Sequence, residues 1–123
     1  MALDISKFRF HRSPPQERHE HKDSESWGSF IRYVELGDDG YAIRQVDEYK
    51  NGYLSRYDRE HWDDQFGTLA DMRFGDKWVQ HWGVPSSITR QEFEEKWTKA
   101  GESSAAALKN ASPQASPPWL RSR

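Results

Sequence analysis

The dipeptide Asn51-Gly52 constrains this chain more than any other local feature, because it stands between two runs rich in β-branched and aromatic residues. Both residues tolerate the left-handed region that a type I′ hairpin turn demands, so the flanking runs are expected to fold back as antiparallel strands. The run before it is YAIRQVDEY (residues 41–49), and the run after it extends from Tyr53 to Tyr57. Upstream, Gly37-Asp38-Asp39-Gly40 supplies a second turn after SFIRYVEL (residues 29–36). Three consecutive antiparallel strands form a meander, whose apolar face must be covered by something else.

The cover is legible further along. Thr89-Arg90-Gln91-Glu92 has the form of a capping box, with Ile88 placed to staple onto Phe93. Phe93, Trp97 and Ala100 then share one helical face, most of Glu92, Glu94, Glu95, Lys96 and Lys99 lie off it, and Gly101 is a stop signal. The expected fold is α+β: a three- to four-stranded antiparallel meander covered by a C-terminal helix. Phe8 and Phe10, alternating with Lys7 and Arg9, are the candidate for a short first strand. Between the strands and the helix, Trp62, Phe66, Phe74, Trp78 and Trp82 recur without a sustained period, which predicts loops and short helical turns. Asp76 is expected to cap one turn that runs to Trp82, with Gly83 and Pro85 stopping it.

A chain of 123 residues suits one domain. Hydrophobic residues at 34% against charged residues at 31% place it near the boundary where burial fails to offset ordering entropy, so part of the chain is expected to stay unfolded. Residues 11–28 (HRSPPQERHEHKDSESWG) are polar, carry a Pro pair and show no hydrophobic period. This predicts a mostly flexible arm over residues 1–28, a domain over 29–101 and a disordered tail over 102–123, where Trp119-Leu120 is a candidate docking motif. Six Trp within 14% aromatic content mean that the core must lean on rings.

Several functions are excluded or disfavoured by residue type. With no Cys there is no disulfide, thiolate metal cluster or cysteine nucleophile, and neither a secretory signal nor a bilayer-length apolar run occurs, so a cytoplasmic protein is expected. Net charge is −2, but residues 29–82 hold seven Lys/Arg against eleven Asp/Glu. An acidic middle offers no footprint for a phosphate backbone, which makes nucleic acid an unlikely partner and a basic protein a better one. No G-x-S-x-G elbow, P-loop or G-x-G-x-x-G is present, and no cofactor is implied. His19-Glu20-His21 has metal-ligating side chains, but it falls in the expected arm, and no metal site is expected.

The densest ionisable stretch is Asp58-Arg59-Glu60-His61-Trp62-Asp63-Asp64. Its residue types suit an acidic contact surface, general acid/base work by His61 with Asp63 or Asp64, or a merely solvated segment. Trp62, Trp78 and Trp82 suit an interface anchor, a ligand pocket or a core. The partner-binding set expected on this reading is Asp58, Glu60, Trp62, Asp63, Asp64, Trp78 and Trp82.

Taken together, YVELGDDGYAIRQVDEYKNGY and ITRQEFEEKWTKA resemble a family of small bacterial domains of unknown function. The matching positions are Glu35, Leu36, Asp39, Arg44, Val46, Asn51, Gly52, Ile88, Glu92, Phe93 and Trp97, spread over residues 29–100. The chain departs from that pattern at Gly37, at Tyr41 and in the Trp-rich segment 58–83. The resemblance implies an α+β fold, a bacterial origin and a place near toxin immunity genes, hence an immunity or inhibitor protein that blocks a basic toxin or nuclease. A small enzyme or ligand-binding domain built on His61, or a regulatory or scaffold module, is the alternative.

Overall fold

Both hairpins form between the expected runs in the computed structural model, which describes residues 4–102; the upstream one turns at Gly37 to Gly40 as expected, and the second closes with a different loop from the predicted one. Gly40 and Gly52 take the left-handed conformation at φ 84° and 97°, and no described non-glycine residue does. The Gly52 amide donates to the Tyr49 carbonyl (2.9 Å) and the Tyr49 amide to the Tyr53 carbonyl (2.8 Å). The loop is therefore three residues long, Lys50 to Gly52, rather than a two-residue type I′ turn. Asn51 keeps its ordinary backbone, and its side-chain carbonyl accepts the Tyr53 amide (3.0 Å). The upstream loop closes the same way, with Gly40 donating to Gly37 (3.0 Å) and Gly37 to Tyr41 (2.8 Å).

Five strands form one antiparallel sheet: β1 (Phe10–Arg12), β2 (Phe30–Leu36), β3 (Ala42–Tyr49), β4 (Leu54–Asp58) and β5 (Ser86–Ser87), in the order β4-β3-β2-β1-β5. The meander is thus extended beyond the expected three or four strands. His11 lies opposite Val34 on one side and Ser87 on the other, so β1 is an interior strand. The candidate first strand, read from Phe8 and Phe10, forms instead at Phe10–Arg12, and the two-residue β5 is too short to show an alternation.

One face of the sheet is covered by α2 (Arg90–Glu102). Phe93 and Ala100 are buried in a cluster with Phe10, Tyr33, Val46 and Leu54, and Ile31, Ile88 and Trp97 pack around it. The capping box closes as read: the Glu92 amide donates to Thr89 Oγ1 (3.0 Å) and the Thr89 amide to the Glu92 carboxylate (3.4 Å). The helix runs through Gly101 rather than ending there. A Cβ at Gly101 would stand 2.7 Å from Arg56 Nη1, so the glycine admits a guanidinium instead of stopping the helix.

The opposite face is covered by α1 (Asp76–Trp82) and the irregular segment before it. Leu69, Ala70, Phe74, Trp78 and Trp82 pack on Val34, Leu36, Ala42 and Tyr57. Asp76 opens α1 without making a side-chain cap, contrary to expectation, whereas Gly83 ends it at φ 90° with its amide on the Val79 carbonyl. A third cluster joins Trp27, Phe30, Tyr49 and Phe66.

The arm expected over residues 11–28 is instead part of the fold. Gln16 and Phe30 exchange backbone hydrogen bonds (2.7 and 3.0 Å), Ser24 Oγ donates to the Phe66 carbonyl (2.8 Å), and Trp27 is buried. Residues 13–27 form a strap held by single anchors rather than by a periodic face. A six-residue 3-10 turn, Lys22–Trp27, closes it. Glu102 belongs to α2, and the rest of the tail expected over 102–123 lies outside the described residues.

Candidate functional site

The strap crosses the sheet above a buried arginine. Arg32 alternates with Phe30, Val34 and Leu36 along β2 and so points into the packed face, where Asp47 of β3 is its cross-strand neighbour. Arg32 Nε and Nη2 donate to the two Asp47 oxygens (2.9 and 3.1 Å), and Nη1 and Nη2 donate to Glu20 of the strap (3.1 and 2.8 Å). Burial alone would pull the guanidinium down, but the two carboxylates overcome it and hold its pKa above the ordinary value. Burial pushes the Asp47 carboxyl up, and Arg32 offsets this in part. Gln45 completes the floor by donating to the Thr68 carbonyl (2.9 Å) and accepting the Ala70 amide (2.8 Å). Two carboxylates and one guanidinium leave an excess of negative charge here, and its outer member, Glu20, reaches the surface.

Glu20 forms part of the wall of an open cleft of about 560 Å³, lined by Glu20 to Asp23 of the strap and Asp63 to Gln65 of the facing loop. His21 Nε2 lies 2.9 Å from Asp63 Oδ1, which ties the two walls together. Asp64 Oδ1 accepts the Tyr57 hydroxyl (2.9 Å) and the amides of Phe66 (2.8 Å) and Gly67 (3.1 Å), while Oδ2 lies 3.3 Å from His61 Nε2. Burial, followed by the Asp64 charge, pushes the Tyr57 phenol well above its usual range. Four carboxylates thus line the cleft against one ammonium, Lys22.

The residues singled out from sequence separate on this geometry. Asp63 and Asp64 both line the cleft, but Asp64 is 2% exposed and its carboxylate is consumed in holding the loop, so it is no solvent-facing contact. Trp78 and Trp82 are 2% and 8% exposed; they are core rings, not anchors presented to a partner. Trp62 is half-buried and packs against the same core. Asp58 turns inward on its own loop and accepts the amides of Glu60 and His61 (2.9 and 2.7 Å), leaving Glu60 exposed. His61 pairs with Asp64, whereas Asp63 pairs with His21. Sequence reasoning missed Asp23, Arg32 and Asp47, and weighed Glu20 and His21 only as metal ligands within an arm. One signal was available: Arg32 interrupts an otherwise apolar alternation in FIRYVEL, and a hairpin register puts an acid opposite it.

His11 is a further buried titratable group, away from the cleft. Its Nδ1 lies 2.7 Å from the Phe8 carbonyl and so carries the proton, while Nε2 has no hydrogen-bond partner beside the rings of Phe74 and Trp78. Burial lowers its pKa to about 4, against the carbonyl bond that favours the charged form.

Among the described residues no three His, Asp or Glu side chains converge on a metal position, and no helix is long and apolar enough to cross a membrane. Compared with protein-family models, with curated proteins and with solved structures, the chain matches none.

Proposed function

We propose that this chain is a non-catalytic interaction protein that binds a basic protein partner through the cleft between Glu20–Asp23 and Asp63–Gln65, acting as an immunity or inhibitor protein toward a toxin or nuclease. The observation that carries this reading is the concentration of three surface-reaching carboxylates, Glu20, Asp23 and Asp63, in one concave surface with a single ammonium. A cleft lined by one sign of charge focuses the field and raises the rate of encounter with the opposite sign. Elsewhere the described surface offers little apolar attachment, since Val84 is its one exposed large hydrophobic residue. The resemblance over residues 29–100 supports the same class of function. In this reading Glu60 and the exposed acids of the strap steer the partner, and Trp62, Trp78 and Trp82 hold the shape behind the cleft.

A second reading rests on the His61–Asp64 pair. A buried carboxylate beside a half-exposed imidazole resembles the base-orienting half of an acid/base site. The hydroxyl that meets this carboxylate belongs to Tyr57, which is buried and whose pKa burial raises, so it is a poor nucleophile.

The two readings separate in one experiment. The protein would be used to capture partners from its native host, alongside an Asp23→Lys, Asp63→Asn variant. The expected result is a stoichiometric basic partner whose association rate falls strongly at low salt in the variant, while thermal melts stay close to wild type. An acidic partner, or an unchanged association rate, sinks the cleft reading. Loss of turnover on a small substrate in a His61→Ala variant, with no protein partner involved, would establish the second.

A further inference from the structure

His11 lies where three parts of the strap-covered face meet. It sits on the interior strand β1, between Val34 of β2 and Ser87 of β5, and its ring packs against Phe8 of the N-terminal turn and against Phe74 and Trp78 of the α1 segment. We propose that His11 is an acid-operated latch: on taking up a proton at Nε2 it drives α1 and the strap off the sheet as one unit, while α2 holds the other face. The opening removes the Glu20–Asp23 wall of the cleft, so its use in releasing a bound partner rests on the cleft reading, whereas the opening itself does not.

The geometry leaves no room for a second proton in the closed fold. The residue is 1% exposed, Nδ1 already donates to the Phe8 carbonyl (2.7 Å), and Nε2 has no acceptor. Charging the ring therefore buries a cation with an unsatisfied donor, which is relieved only by admitting water. No neighbouring charge compensates it. Asp4 and Lys7 of the N-terminal turn and Asp71, Arg73, Asp76 and Lys77 of the α1 segment are exposed, Arg32 of β2 is engaged by Asp47 and Glu20, and β5 carries no titratable group.

Nor can α1 move alone. Trp78 packs on Trp82 (4.4 Å between centroids), the Trp82 carbonyl accepts Gln16 Nε2 of the strap (2.7 Å), and the guanidinium that holds Glu20 lies 5.7 Å from the Trp82 ring. Gly83 abuts Pro14 so closely that a Cβ there would stand 2.6 Å from its Cγ. The opposite face answers to a lower pH. Burial would raise the Glu48 carboxyl, but Lys96 and Tyr33 overcome it, and Arg44 holds Glu94 down, so both lie below the ordinary 4.5 and keep their full contribution above it. Burial lowers His11 from 6.5 to about 4, so its contribution is lost in a range where those pairs are intact. Asp47, whose carboxyl burial pushes up, gains its proton more readily folded than unfolded and does not drive the opening.

Amide hydrogen exchange in the full chain, measured at pH 7 and pH 5 and corrected for the intrinsic rate, tests the latch. The amides of Gln16, Phe74, Val79 and Gly83 are hydrogen-bonded in the closed fold. They should lose protection together, by roughly twentyfold for a group whose pKa moves between about 4 closed and 6.5 open, while the α2 amides from Phe93 onward keep theirs. His11→Phe removes the titrating group, and His11→Asn removes it while keeping a donor for the Phe8 carbonyl; in both, protection of the strap and α1 should no longer depend on pH in this range. Loss of protection that spreads equally to α2, that leaves Gln16 closed while Val79 opens, or that persists undiminished in His11→Asn overturns the proposal. The measurement involves no partner. Its failure therefore leaves the cleft reading standing, and the lack of a basic partner leaves the latch standing.

Discussion

On one face of the sheet α2 lays Phe93 and Ala100 onto Tyr33, Val46 and Leu54, and its charged residues stay near the rim, as Arg44 does with Glu35 and Glu94. On the other face the strap and the α1 segment close over Arg32, Gln45, Asp47 and His11, each about 1% exposed or less. The first face is held by apolar burial, which is tolerant of small shifts. The second mixes rings with a polar network in which every partner has to be in place, because an unpaired buried charge costs far more than a paired one gains. A helix face can be read from spacing; a network of this kind exists only after the strands are in register.

That contrast can be broken most sharply at Asp47. Replacing Asp47 with Ala leaves the Arg32 guanidinium buried with Glu20 as its remaining carboxylate, and should cost about 3 to 5 kcal/mol in denaturant unfolding. Replacing both members, Arg32→Met with Asp47→Leu, removes the desolvation cost along with the attraction and should recover most of that loss. If Asp47→Ala costs less than about 1 kcal/mol, water reaches the pair and the second face is not a closed network.

His11 distinguishes the faces by pH. Its folded-state pKa of about 4 lies below the ordinary 6.5, so the unfolded chain binds a proton in this range that the folded chain excludes. The contribution is therefore fully present above pH 6.5 and is lost as pH falls toward 4, amounting to about 3 kcal/mol over that window. Unfolding free energies measured between pH 7 and 4.5 should fall steeply in the wild type and less so in His11→Phe. Equal slopes would mean that the imidazole is solvated.

The legible parts of the molecule are those written in local pattern. Asn51-Gly52, the alternation in FIRYVEL and the Thr89 to Glu92 box place β2, β3, β4 and α2 with their ends nearly correct. What escapes is of two kinds. The alternation around Phe8 and Phe10 hints at a first strand but not its span Phe10–Arg12, and Ser86–Ser87 is a strand because a neighbour pairs with it, which nothing local announces. The strap reads as disordered since its anchors, Gln16, Glu20, Ser24 and Trp27, are scattered singly among polar residues and each finds its partner far away in sequence. The site suffers from the same limit. An Asp58 to Asp64 run looks like an acidic surface, yet folding ties Asp58 to the amides of its own loop, buries Asp64 and brings Glu20 and Asp23 up from the strap beside Asp63.

Trp97 tests the first face, and its expected effect is the smallest. The helical spacing that groups it with Phe93 and Ala100 suggests a fully buried ring, whereas the structure leaves it half-buried beneath two guanidinium groups, Arg44 at 5.1 Å and Arg56 at 4.7 Å from the ring. Arg44 is already engaged by Glu35 and Glu94, and Arg56 donates to the Trp97 carbonyl (3.1 Å), so both cations are positioned without the ring. Trp97→Ala then loses part of a side chain's burial and two cation–π contacts rather than opening a core cavity, and should cost about 1 to 3 kcal/mol. Trp97→Leu keeps the apolar contact but not the π-face, so the difference between the two variants isolates the cation–π share. A loss for Trp97→Ala as large as that of Phe93→Ala would mean that the ring belongs to the core after all. The first face would then depend on full enclosure just as the second does.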